Sequence, residues 1–504
     1  MTISPIFNIR RCIPRWREFS ITATTGELLQ ENKSKNENKR NRNHFSEKLN
    51  RWKENQSISN SADVVSSAIS LGYYSEAIGA AEFLLNQKDN ITDALYSIAL
   101  EVLIRTGRFV NKEGSSEPVI YRKQDIFNRI HFIRERIKRY PQNAILWVDL
   151  SHAYAVIGQL NQSLQAMANS IYLQPENRFV LRSATRLYIH IGEPDRAHRL
   201  LLKTQSSRID PWLIAAEIVT ASVADTVPKF YKIGKEYIEQ NFYSPFNLAE
   251  LNSVIATLEL NTGNIKKARK LFLSSLIDPT ENSVAQSVWV KSEIPTLQTD
   301  FAVQKTKRVY EAKALSALHG FQWNEIIDST KKWFADEPYS SRPAELGSYA
   351  ALIGFCDFSL SEEFTRNGLI SNPGNFALLN NLAFSLANQN KVKEADDVIN
   401  SIPYPYSNIY QEIVVSATKG LIEFRKGEFD FGQSLYENSI TISEHIGRKD
   451  LQSMAIINLA KECYLSKKIN QAETLALAEK GLKLNPSPQN LSIFKHLTDL
   501  CNSG

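Results

Sequence analysis

From Ser57 onward, apolar residues recur three and four positions apart, the spacing that gathers them on one face of a helix. Alternation of the strand type does not run over any useful length, so the pattern predicts a nearly all-α protein. The strongest signal lies between residues 144 and 211, where two consecutive blocks carry matching residue types about 34 positions apart. Trp147, Leu150, Tyr154, Gly158, Met167 and Pro175 define the first block; Leu181, Ala184, Tyr188, Gly192, Ala197 and Leu201 fill the second, with Pro211 two residues late. That period fits a helix, a turn and a second helix. Such a unit cannot bury its apolar face alone, so stacked copies must share one continuous core.

The same pattern predicts further pairs. Val64, Ala68, Gly72, Ala77 and Ala81 open the first, and Thr92–Pro141 forms the next around a long exposed insertion, Gly107–Tyr121. After the two strong blocks come Trp212–Asn241, with a weak turn at Asp225–Pro228, and Leu251–Pro279. Residues 280–300 read as less regular. Pairs follow at Lys305–Pro338 (turning at Gly320), Ser341–Pro373 and Phe376–Tyr404. Beyond a link at Ile402–Ser407, one pair turns at Gly427 and a last one spans Ser453–Pro486. Residues 58–488 therefore read as a repeat array, and 489–504 as a capping helix and tail, which the end of an array requires. Ala197, Ala268, Ala395 and Ala472 mark positions where second helices cross closely, and glycines mark turns that need a left-handed backbone.

These residues resemble the tetratricopeptide repeat family: Trp147-x2-Leu150-Ser151-x2-Tyr154, then Met167, then Pro175. Ser151, Ser163 and Ser170 depart from the family's preference for Gly or Ala there. The resemblance implies a right-handed superhelical solenoid of antiparallel helix pairs whose first helices line a concave groove. Carried over by position, the groove residues are Ile145, Val148, His152, Ala155 and Val156 in one block and Phe179, Arg182, Arg186, Ile189 and His190 in the next. Asn381 and Asn458 match a family asparagine that hydrogen-bonds the backbone of a bound peptide. The lysine and asparagine set with which the family grips carboxylate tails is not reproduced.

Charge changes the picture because it is local. The net charge of +5 hides a segment, residues 1–57, with 12 Lys and Arg against 6 Asp and Glu, and another, residues 122–208, with 14 against 6. The remainder is net −9. Residues 30–57 are almost devoid of apolar groups, so the segment 1–57 reads as largely disordered. Within it residues 6–29 set Phe7, Ile9, Ile13, Trp16, Phe19, Ile21, Leu28 and Leu29 among arginines. That stretch reads either as a frayed tail or as a docking segment for the protein's own surface or a partner. Arg10, Arg11, Arg15 and Arg17 give it a passing likeness to a transit peptide, although Pro5 and Pro14 interrupt an amphipathic helix.

In the second basic segment, Arg178, Arg182 and Arg186 form one stripe along a helix. With His152 and His190 they predict a basic, partly apolar groove, unless the arginines pair with acidic residues of neighbouring helices. The preceding helix buries Ile126, Ile130, Ile133 and Ile137, which turns Arg129, Arg134, Arg136, Lys138 and Arg139 outward as a basic patch.

Catalytic and metal chemistry find no support. Eight histidines and four dispersed cysteines form no metal-type spacing, and no phosphate loop or nucleophile elbow is present. The cysteine usage fits a reducing compartment, and no apolar run approaches the roughly 20 residues of a membrane span. The expectation is a bacterial, cytoplasmic, non-enzymatic scaffold or adaptor, without cofactor, metal or small-molecule substrate, that binds an acidic or mixed peptide segment. The alternative is nucleic-acid association through the basic tail and the 122–208 patch.

Overall fold

The computed structural model describes residues 5–17, 37–71, 73–87, 90–91, 93–106, 108, 123–240 and 243–503. Among them there is no strand, and 26 α-helices follow one another along the chain. They cluster into two compact units. One is built from the chain up to Val309, the other from Tyr310 to the end, with Ala155–Gln159 and the start of the helix at Lys123 grouped with the second.

In the first unit, α1 (Glu37–Glu54), α2 (Ile58–Leu71), α3 (Ile78–Asn86) and α4 (Asp93–Arg105) pack on one another. Helix α1 occupies part of the stretch 30–57 whose composition argues for disorder; residues 1–4 and 18–36 of the tail lie outside the described residues, as does most of the 107–121 insertion. Phe45, Leu49 and Trp52 lie four and three positions apart, so one face of a very polar helix is apolar. Phe45 and Trp52 join Val64, Ala68, Ala81 and Leu84 in a single core, and the Trp52 indole donates to Ser61 Oγ at 2.7 Å. A few well-placed side chains offset the entropy of ordering that the mean composition could not.

Next come α5 (Lys123–Arg139), α6 (Ala144–Val156), α7 (Leu160–Leu173), α8 (Arg178–His190), α9 (Pro194–Lys203), α10 (Pro211–Val223), α11 (Tyr231–Gln240), α12 (Pro245–Asn261), α13 (Ile265–Ser275), α14 (Glu281–Val290) and α15 (Asp300–Lys305). The departures at Ser151, Ser163 and Ser170 have a reason. Ser151 and Ser163 donate to each other's carbonyl at 2.8 Å where α6 meets α7, and Ser170 donates to the Ala144 carbonyl at 2.9 Å. Small hydroxyls thus allow close packing and stay satisfied. Gly192, at the turn after α8, has φ +80°, a conformation that strains any residue with a Cβ.

The second unit contains α16 (Tyr310–His319), α17 (Trp323–Asp336), α18 (Ser341–Ala350), α19 (Phe358–Ser371), α20 (Phe376–Asn388), α21 (Val392–Asn400), α22 (Ile409–Lys426), α23 (Phe429–His445), α24 (Lys449–Leu465), α25 (Gln471–Leu484) and α26 (Pro488–Ser503). At the turn expected of Gly320 the left-handed residue is Phe321, φ +52°. Ala472 is exposed; the close crossing of α25 is made by buried Thr474, Ala478 and Gly481 instead. The expected cap is α26. Its Ser492 and His496 reach the Ile353 and Gly354 carbonyls at 2.7 and 3.2 Å, on a wide turn of helix, Ala351–Phe355, after α18.

Helices α22 and α23 cross at two glycines. A Cβ on Gly420 would stand 2.8 Å from the Tyr436 ring and 2.9 Å from the Gly432 carbonyl oxygen. Alanine in place of glycine normally stabilises a helix by roughly 1 kcal/mol, but here the clash decides the sign. Gly420→Ala is expected to destabilise the second unit by about 1–3 kcal/mol, measured as a lower urea midpoint.

Candidate peptide site

Helices α10, α12 and α14 are the first members of their pairs, and their shared face is unusually polar for a surface so deeply covered. Glu250, Ser253 and Thr257 recur along α12; Asn282, Gln286 and Trp289 recur along α14, and all six are buried. These polar side chains give residues 280–300 their irregular look in sequence. Helix α14 nevertheless forms, capped by reciprocal bonds between Thr280 and Ser283.

What covers this face is the N-terminal segment. Pro5–Cys12 forms tight helical turns and contacts α10, α12 and α14, and the chain continues without regular structure to Arg17. Ile9, Cys12 and Ile13 pack into one core with Ile214, Ala215, Ile218 and Val219 of α10 and Leu251, Val254 and Ile255 of α12. Trp16, fully buried, meets the His152 ring of α6 edge-on at 5.1 Å. Arg11 lies over Trp289, its centre 5.2 Å from the ring, and burial lowers its pKa to about 10. Arg17 holds both carboxylate oxygens of Glu281 through one nitrogen, at 3.1 and 3.0 Å. Asn282 donates from its amide to the Ile13 carbonyl at 3.1 Å. Cys12 Sγ sits 3.8 Å from Ser253 Oγ, and burial pushes the thiol up to about 12, so it is neutral and unreactive in place. Between the frayed and docked readings of residues 6–29, the structure has residues 9–17 docked on the protein's own surface.

The residues expected to line a groove lie next to this face. Arg182 on α8 is buried and donates two bonds to Glu250, at 2.7 and 3.0 Å, with its guanidinium 4.5 Å from the Trp212 ring centre. Arg178 pairs with Asp210 at 2.5 Å. For these two, pairing with acidic residues of neighbouring helices is what the structure contains. Arg186 and His152 are buried, and Phe179 and His190 are half-buried. Burial, with Arg186 nearby, lowers His190 to about 4, so it is neutral near pH 7. Asn381 and Asn458 belong to the second unit, where Asn381 donates to Ser348 Oγ at 3.0 Å and Asn458 to its own helix at Met454. On α5 the four isoleucines are buried. Arg134, Arg136, Lys138 and Arg139 are exposed and Arg129 half-exposed, with Arg129 and Arg136 over an exposed Phe132 ring.

Sequence reasoning missed Glu250, Glu281, Asn282, Gln286 and Trp289. Their signal was polar residues at helical spacing inside otherwise apolar first helices. Among the described residues no cluster of His, Cys, Asp and Glu is placed to hold a metal ion, and no helix is long and apolar enough to cross a membrane.

The geometry defines an all-α protein of stacked helix pairs with a peptide laid across one face. No protein-family description matches the chain, and no curated protein matches it. Solved structures similar to it include yeast Tom70 (12% identity, 88% of this chain and 96% of that one covered, TM-score 0.31). The APC/C hetero-tetramer Cut9-Hcn1 gives 12% identity, 95% and 96% coverage and a TM-score of 0.39. The human IFIT1 dimer with PPP-AAAA gives 13% identity, 75% and 94% coverage and a TM-score of 0.36.

Two outcomes follow from the charges beside the site. Arg182→Met leaves Glu250 buried without its cation and is expected to cost about 3–5 kcal/mol, while adding Glu250→Met recovers most of the loss in chemical denaturation. His190 carries a folded pKa of about 4 against an ordinary 6.5. Its contribution to stability is therefore complete above pH 6.5 and is lost as pH falls towards 4. A His190→Gln variant should show a flatter stability profile across that window.

Proposed function

We propose that the chain is a non-enzymatic protein-interaction scaffold, and that the face of α10, α12 and α14 is a peptide site. One observation carries this reading: residues 9–17 lie on that face as a peptide ligand would, with a backbone carbonyl held by Asn282 and an arginine by Glu281. Rigid helices present the side chains, and the ligand supplies backbone groups that need partners.

The charges favour a mixed segment carrying arginine over an acidic one. Arg178 and Arg182 are held by Asp210 and Glu250, His190 is neutral near pH 7, and the carboxylate at the edge of the face, Glu281, meets an arginine. The favoured ligand places apolar residues three and four positions apart, as Ile9, Cys12, Ile13 and Trp16 are, with an arginine after them.

The test uses the full chain with its own segment weakened by Ile13→Asp and Trp16→Ala. A fluorescent peptide of residues 5–17 should bind it saturably in fluorescence anisotropy, and Glu281→Arg should weaken binding about tenfold, roughly 1.4 kcal/mol. Equal binding of a peptide with the same residues in scrambled order would sink the proposal.

A further inference from the structure

We propose that residues 9–17 are a tethered competitor: they close the peptide site until a partner segment of the same chemistry displaces them in trans. The inference rests on the reading of this face as a peptide site and adds how that site is regulated.

The helices beneath the segment hold one another without it. Arg182 of α8 grips Glu250 of α12, and Gln286 of α14 donates to Thr257 of α12 at 3.1 Å. Among the contacts that hold the segment are the apolar anchors Ile9, Cys12, Ile13 and Trp16, the Ile13 carbonyl on Asn282, the ion pair of Arg17 with Glu281 and the ring contacts of Arg11 and Trp16. Its apolar side chains pack with apolar residues of α10 and α12, and its polar contacts fall on α12 and α14.

The fit is also incomplete. Asn282 Oδ1, next to the segment, and Gln286 Oε1, one turn further along α14, are buried with no donor among the described residues. A buried acceptor left unpaired costs about 1–3 kcal/mol, so a ligand that offers an N–H or O–H at these two atoms binds better than the resident one. That defines the partner: a protein segment able to form a helical turn, with apolar residues three and four apart, a following arginine, and a donor side chain directed at Asn282 and Gln286.

Sequence length permits the exchange. Nineteen residues, 18–36, separate Arg17 from α1, a span of up to about 60 Å when extended. A covalently linked competitor acts at an effective concentration on the order of 1 mM. A free peptide that binds the open face at about 10 µM would then bind the intact chain about 100-fold more weakly.

The experiment places a protease site within residues 18–36 of the otherwise unaltered full chain, so that cutting severs the covalent link between residues 9–17 and α1. Binding of the fluorescent 5–17 peptide is measured before cutting, and after cutting and removal of the released piece. An increase in affinity of about 100-fold is expected. In the uncut chain, excess peptide carrying Cys12→Ser should speed alkylation of the protein's own Cys12, followed by mass spectrometry. Equal affinity before and after cutting would overturn the competition while leaving the site intact. A cut segment that stays bound at nanomolar concentration and does not exchange would also overturn it, by making the segment a fixed part of the core. A cut chain that releases its segment and then binds no peptide would overturn the site itself.

Discussion

The first unit is organised around the carboxylate of Glu250. It is almost wholly buried on α12, takes two hydrogen bonds from Arg182 on α8, and lies 3.3 Å from the Asn282 amide of α14. A charge taken this far from water is tolerated only with a well-oriented partner. Arg182, Glu250 and Asn282 therefore tie together α8, α12 and α14. It also orients Asn282, whose amide reaches the Ile13 carbonyl. Arg182 acts on the segment through Glu250 and Asn282, as part of the structure that positions the site.

Elsewhere the stack follows from a simpler constraint. A helix pair has too little apolar surface to stand alone, so each pair is stable only against its neighbours. Close crossings need small residues, which explains Ala197 and Ala268 in the first unit and Gly420 against Gly432 in the second. Where a hydroxyl replaces a methyl, as at Ser151 and Ser163, packing is kept because each finds the other's carbonyl. A face that departs from this economy, with five polar residues buried along α12 and α14, meets the backbone and charges of residues 9–17.

Recognition by such a face depends on a ligand with unpaired backbone groups and on rigid side chains to meet them. Residues 9–17 supply the former, and helices fixed by Glu250 and Arg182 supply the latter. Apolar anchors give the attachment its strength; Asn282 and Glu281 set its register along the face.

The sequence by itself determined the helices, their pairing and most of the turns, because periodicity and turn chemistry act over a few residues. Trp147 to Pro175 and its successor could be read as repeats for that reason. It also singled out residues 6–29 as too apolar for an ordinary tail, and left Arg182 open between a ligand and a neighbouring carboxylate. Only the tertiary structure decided those questions. The partner of Arg182 lies 68 positions away and that of Arg17 lies 264 away. No local pattern encodes which distant carboxylate an arginine will find. The same holds for α1, whose polar composition argued for disorder until Phe45 and Trp52 met a surface to bury them. Local rules choose the element; burial against distant residues chooses which charges pair and which face is occupied.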